Sequence, residues 1–200
     1  MGNADLTLAI LAGGAGMRMG GAKSALVVGS QPILTWLHRR LGWGGPTLLV
    51  TAPGNRAPAG TGCFDREVVD PVDGAGPVQG IITALLAADT PLLVVAPVDM
   101  PLLRREQLQE LAAALLKSDW QGIACTRRVD GKTLVEPFPC AFRSTAFDVV
   151  MRYFHAGQRS LRGLCDAGIC GTFDATDWPD ETWTNLNTPD DLTSFSQAHG

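Results

Sequence analysis

The sequence predicts an α/β fold in which a mostly parallel sheet lies between two layers of helices. Three observations predict it. Short apolar, β-rich runs alternate with stretches whose apolar residues recur at helical spacing, the pattern of strands joined by crossover helices. The first run, Leu6–Leu11, passes directly into a glycine-rich loop. The chain has 200 residues, 46% hydrophobic and 18% charged, enough to bury a sizeable core in one domain spanning 1–200.

The elements follow in order. Leu6–Leu11 reads as a buried strand, and Pro32–Leu41 as a helix with Pro32 at its first position, where a missing N–H costs nothing. Thr47–Thr51 and Glu67–Val69 read as strands, and Pro77–Ala88 as a second helix after a glycine-rich turn. Leu92–Ala96 is a strand, and Leu103–Lys117 a helix with Leu108, Leu111, Leu115 and Leu116 on one stripe. Gly122–Thr126, Val135–Phe142 and Gly171–Phe173 complete the strands. Thr145–His155, Ser160–Ala167 and Asp190–Gln197 complete the helices. Loop material gathers at Ala52–Thr61, Pro71–Gly76 and Trp178–Thr184. With no repeat and no linker, this is a single-domain, Rossmann-like, three-layer arrangement.

Composition excludes several functions. A formal charge of −4 argues against a nucleic acid held on a basic surface. No apolar run approaches the ~18 residues of a membrane span, and the N-terminus lacks the basic region of a signal peptide. A cytoplasmic protein is expected. Cys63, Cys125, Cys140, Cys165 and Cys170 form no C-x-x-C pair and are odd in number, so neither a zinc site nor a disulfide framework is supported. The three histidines are scattered, which leaves no Ser-His-Asp arrangement to argue for.

The loop after the first strand holds Gly13, Gly14, Gly16, Gly20 and Gly21 with two cations, Arg18 and Lys23. Glycines let main-chain N–H groups turn toward a ligand without a Cβ in the way, and such N–H groups form an anion nest. Two added cations suit a polyphosphate. The dinucleotide fingerprint G-x-G-x-x-G fails at Met19, and a P-loop would need glycines at Met17 and Ala22. The chain does match L-A-G-G-x-x-x-R-M-G-x-x-K at every fixed position.

In an open α/β sheet, ligands sit beyond the carboxyl ends of the strands. Gly13 and Gly14, Thr51, Asp70 and Asp99 all follow predicted strands and should converge on one crevice. Asp99 is the most informative. A carboxylate near a triphosphate is repulsive unless a cation bridges them, and Mg²⁺ commonly joins one or two carboxylates to phosphates. As a plain helix cap it would be badly placed, because Met100, Pro101 and Leu102 separate it from the next helix.

The loop pattern resembles that of the molybdenum cofactor (molybdopterin) guanylyltransferases, within the wider NTP-transferase superfamily. Val98-Asp99-Met100-Pro101 is similar to that family's C-D-x-P strand end. Asp70 with the stretch from Asp73 to Gly80 resembles its D-x₄₋₆-G-P-x-x-G, and Asn185 to Leu192 its N-x-N-T-P-E-[DE]-L. Gly157-Gln-Arg-Ser-Leu161 and Glu136-Pro-Phe-Pro139 fall where the family has similar runs.

The resemblance implies a nucleotidyltransferase fold and transfer of GMP from GTP to molybdopterin with Mg²⁺. It implies that Leu11, Ala12, Gly13 and Gly14 cradle the nucleotide through main-chain groups. Lys23 would contact the phosphates with help from Arg18, and Thr51 and Asp70 would lie on the guanine and ribose side. Asp99 would bind Mg²⁺ with Asn187 or Asn185. Transient contact with proteins that mature molybdoenzymes is also implied. Two departures stand out: Thr51 replaces a frequent Asn, and Ala22 the Asp that often precedes the lysine. Arg127, Arg128, Lys132, Arg159 and Arg162 are candidate contacts for the acceptor's phosphate, or else a solvated basic face. Rival readings are a CTP-dependent molybdopterin enzyme, another small nucleotidyltransferase, a P-loop kinase and a non-catalytic nucleotide-binding module. Gly13 and the Asn185/Asn187 pair favour GTP within the resemblance.

Overall fold

The computed structural model describes residues 3–13, 26–54 and 57–199. Gly14, Arg18 and Lys23 lie outside them, so their expected roles have no structural counterpart below. The elements run β1 (Leu6–Leu11), β2 (Val27–Val28), β3 (Gln31–Pro32), α1 (Ile33–Leu41), β4 (Thr47–Thr51), β5 (Arg66–Val69), α2 (Pro77–Ala87) and β6 (Leu92–Pro97). Then follow α3 (Arg105–Leu116), β7 (Gly122–Val129), β8 (Lys132–Arg143), α4 (Phe147–His155), α5 (Leu161–Asp166), β9 (Cys170–Asp174) and α6 (Pro189–His199).

Seven strands form one sheet in the order β5-β4-β1-β6-β8-β7-β9. β8 runs antiparallel to both β6 and β7, and every other pairing is parallel, so the sheet is mostly parallel as expected. Side chains alternate between its faces. Leu8, Ile10, Leu49, Val94 and Ala96 pack toward α1 and α3, whereas Ala9, Leu48, Val50, Leu93 and Val95 pack toward α2 and α4. Each fully buried Leu or Ile of these two cores contributes about 1.5–3 kcal/mol of burial free energy. Both faces being covered explains why the central strands read as continuous apolar runs rather than alternating ones.

Helix α1 shows how local sequence sets an element. Ile33, Leu34, Leu37 and Leu41 are buried on one stripe. The last turn carries His38, Arg39 and Arg40, favourable at the negative end of the helix dipole. The helix stops where Gly42 turns left-handed (φ 48°) and its N–H donates to the His38 carbonyl at 3.0 Å.

Three differences from the sequence expectations have physical causes. Strands β7 and β8 are longer than expected, because Asp130 (φ 50°) and Gly131 (φ 75°) close them into a tight hairpin. Asp-Gly is a strong signal for such a turn, since both central residues need positive φ. Pro32 precedes α1 and pairs with Val27 in the short β2–β3 hairpin. The region expected as loop around Trp178–Thr184 contains a 3₁₀ turn, Asp180–Trp183. Gln107 on α3 secures that turn by donating to the Thr182 hydroxyl at 2.7 Å.

Candidate active site

Backbone hydrogen bonds continue past the strand ends and set the crevice residues side by side. The Val98 N–H donates to the Leu11 carbonyl (3.0 Å), Ala12 to Val50 (2.8 Å), and Asp70 to Thr51 (2.8 Å). The carboxyl ends of β1, β4, β5 and β6 are thereby stitched into one floor. Above it lies a cavity of about 350 Å³, bordered by Leu11, Gly13, Asp70, Gly76, Gly80 and Asp99. Two of its glycines sit at close approaches. A Cβ on Gly13 would stand 3.1 Å from the Ala52 nitrogen, and one on Gly80 would stand 3.2 Å from the Leu11 side chain. The first turn of α2 faces the cavity, capped by Gly76 (φ 88°) with Pro77 at its first position, an arrangement favourable to anions.

Asp70 is half-buried at this cavity. The Thr83 hydroxyl donates to its Oδ1 at 2.6 Å, and Gln79 donates to the Thr83 oxygen at 3.4 Å, so α2 fixes the carboxylate's orientation. Burial raises its pKa above the ordinary carboxylate value, partly offset by the Thr83 hydrogen bond. The folded state therefore holds this proton more tightly than the unfolded chain. Stability contributed here falls as pH rises from the ordinary carboxylate range through the raised value. Asp70→Asn, which still accepts from Thr83, should thus melt at or above the wild-type temperature at neutral pH. Melting curves against pH should show that gap closing in acid. A variant less stable than wild type at neutral pH would contradict this account.

A second cavity, about 340 Å³, adjoins the first. Pro97, Asp99 and Phe138 border both. Its other walls include Arg127, Glu136, Asn185 and Asn187. The Leu186 N–H donates to the Asp99 backbone carbonyl at 2.9 Å, which sets the two asparagines on either side of a residue tied to Asp99. Asn185 donates its amide nitrogen to the Trp183 carbonyl (3.0 Å), which orients its amide. The Asp191 carboxylate accepts from the N–H groups of Asn187 (2.9 Å) and Thr188 (2.8 Å). Thr188 Oγ1 accepts in turn from the Asp191 N–H (3.2 Å), a reciprocal cap on α6. These hydrogen bonds hold the Asp191 carboxyl below its usual range. Asp99 and the asparagine amides offer hard oxygen donors, the kind suited to Mg²⁺. Among the described residues no group of three His, Cys, Asp or Glu could hold a metal. A cation here would complete its shell with phosphate or water.

The expected site residues distribute as follows. Leu11, Gly13, Asp70 and Asp99 border the first cavity, and Asp99 and Asn187 the second. Ala12 is buried in the core, its N–H spent on Val50. The Thr51 hydroxyl donates to Glu67 at 2.9 Å, and its neighbours Val50 and Ala52 line the cavity instead. Of the five candidate basic contacts, Arg127 lines the second cavity. Arg128 and Lys132 are exposed on the β7–β8 hairpin, and Arg162 donates to the Val135 carbonyl at 3.1 Å. Arg159 is exposed, its guanidinium over the Phe154 ring and its backbone beside Gly76. Sequence reasoning assigned no role to Phe138, between the cavities, or to the Glu136 carboxylate. The Glu136-Pro-Phe-Pro139 run was their only signal.

The cysteines play no part here. Cys125, Cys140 and Cys170 are buried, and burial pushes their thiols well above the ordinary value, keeping them protonated. Among the described residues, no helix is long and apolar enough to cross a membrane.

The model of the MobA-like NTP transferase domain matches residues 8–169, which include most of β1, the first cavity and the β7–β8 hairpin. The chain belongs to this family. It is 34% identical over 163 residues to a protein of Cupriavidus metallidurans named molybdenum cofactor guanylyltransferase, covering 78% of each chain. It is 32% identical over 201 residues to one of the same name from Methylibium petroleiphilum, covering 96% of each. Among solved structures, molybdopterin-guanine dinucleotide biosynthesis protein A of Archaeoglobus fulgidus superposes with a TM-score of 0.76 at 22% identity, covering 96% of this chain and 97% of that one. The 2-C-methyl-D-erythritol 4-phosphate cytidylyltransferase of Thermus thermophilus superposes at 0.71 with 18% identity, covering 95% and 96%. The MobA-like family thus accounts for the mostly parallel sheet, and the chain is a nucleotidyltransferase by descent.

Proposed function

We propose that this protein transfers GMP from GTP to the phosphate of molybdopterin, releasing pyrophosphate, with Mg²⁺ as cofactor and in the cytoplasm. The observation that carries this reading is the shared wall of the two cavities, with Asp99 in it. A reaction joining two anions needs two adjacent compartments and a carboxylate between them that can recruit a cation.

In this reading GTP occupies the first cavity. The main chain at Leu11 and Gly13, with Lys23 and Arg18, holds the phosphates. The fixed Asp70 carboxylate accepts from the ribose hydroxyls. The acceptor occupies the second cavity, and its phosphate oxygen attacks the α-phosphorus in line. One P–O bond forms there as the bond to the β-phosphate breaks, and the electron pair leaves with pyrophosphate. The nucleophile is already an anion, so no general base is required, consistent with a site built without histidine. Asp99 and an asparagine amide would hold Mg²⁺, which supplies charge neutralisation at the phosphates. Everything else asked of the protein is positioning. Pyrophosphate release measured with molybdopterin and each nucleoside triphosphate tests the reading. It requires GTP to turn over, and only when the acceptor is present.

A further inference from the structure

The second cavity holds a polar device that the transfer chemistry above does not use. Arg127 Nε donates to Glu136 Oε1 at 2.7 Å, with both side chains about three-quarters buried (29% and 24% exposed). The pair is built from a column of rings. Trp178 stacks on Trp183 with centroids 5.7 Å apart, and the Arg127 guanidinium lies 5.2 Å from the Trp183 centroid. Trp178 is itself tethered, donating to Glu110 at 2.9 Å. Register helps as well, because Glu136 pairs with Cys125 across a β-bulge between Ala124 and Cys125. Bulges re-aim side chains. Among the described residues, the ion pair engages only Nε and one carboxylate oxygen. Arg127 and Glu136 both line the cavity, so the pair sets a guanidinium and a carboxylate side by side on its wall. Pro97, Pro137 and Phe138 supply apolar walls around them.

We propose that Glu136 and Arg127 read the 2-amino-4-oxopyrimidine edge of the acceptor's pterin ring. That edge presents an exocyclic amine and a ring N–H, both donors, beside a carbonyl acceptor. The carboxylate accepts from the two donors and the guanidinium donates to the carbonyl. Glu136 is then a specificity-determining residue, and Arg127 acts on the ring rather than on the acceptor's phosphate. Guanine carries the same donor-donor-acceptor edge. The pair stands in the cavity away from Asp70 and Gly76, so the edge it reads is the pterin's. This inference rests on the second cavity being the acceptor site.

The test uses the whole protein and two free heterocycles, 6-hydroxymethylpterin and lumazine, by calorimetry up to their solubility limits. Lumazine carries a carbonyl where the pterin has its amine, which would set an oxygen against the carboxylate. Wild type should prefer the pterin by about tenfold or more. Glu136→Gln should collapse that preference to within about threefold, since an amide offers one acceptor and one donor. GTP affinity should stay unchanged in the variant, and the pterin should not displace GTP. Glu136→Asp, which keeps the charge but withdraws it, should weaken pterin binding while retaining the preference. Equal binding of the two heterocycles by wild type, or binding of neither, overturns the proposal without any variant being needed. A preference that survives in Glu136→Gln overturns it too. A variant that loses GTP affinity along with the preference assigns the edge to guanine, and also overturns it. Pterin preference without pyrophosphate release would instead defeat the transferase reading alone.

Discussion

Asp99→Asn is expected to remove nearly all transfer, about a hundredfold or more, while circular dichroism and the melting temperature stay close to wild type. The magnitude is that of deleting one preorganised electrostatic group from a transition state in which charge is being redistributed. The separation of activity from fold follows from geometry. Asp99 sits in the turn beyond β6, and its backbone carbonyl accepts from Leu186, a tie that an asparagine keeps. Asp99 borders both cavities. Steady-state rates with a Mg²⁺ titration check this. Substantial activity in the variant would make the carboxylate structural and place any catalytic cation elsewhere.

Lys23→Ala is the second large effect. The lysine closes the L-A-G-G-x-x-x-R-M-G-x-x-K pattern, whose first residues lead into the first cavity at Leu11 and Gly13. A charge-assisted contact is worth about 1.5–3 kcal/mol, so GTP affinity should fall roughly tenfold to a hundredfold. GMP lacks the outer phosphates and should bind the variant nearly as well as wild type. Parallel titrations with the two nucleotides separate the cases. An unchanged GTP affinity would mean that Lys23 does not touch the phosphates.

The two layers of helices and the parallel core were legible in the sequence because both signals are strong there. Apolar runs such as Leu92–Ala96 mark strands covered on both faces, and the Leu108/Leu111/Leu115 stripe marks a helix facing one. Crevice positions followed from one general rule, that ligands gather at the carboxyl ends of strands. Gly13, Asp70 and Asp99 border the first cavity accordingly, whereas Thr51, named by the same rule, turns its hydroxyl to Glu67. The reversed strand β8 was not legible, since periodicity carries no direction; only the Asp130-Gly131 turn encodes it. The side-chain commitments were hidden for a different reason. Thr51 to Glu67, Thr83 to Asp70 and Arg127 to Glu136 are pairings between strands or between a strand and a helix. No local spacing announces such partners. A threonine at a strand end reads as a ligand contact until the neighbouring strand supplies its acceptor.

Base choice separates guanylyl from cytidylyl transfer. Pyrophosphate release should be measured in one assay with molybdopterin, Mg²⁺ and GTP, CTP or ATP at equal concentration. GTP should be preferred by roughly tenfold or more, because a mismatched buried polar edge costs about 1–3 kcal/mol. Release should also vanish when the acceptor is omitted. Equal or faster release with CTP would contradict the guanylyltransferase reading and make the protein a cytidylyltransferase.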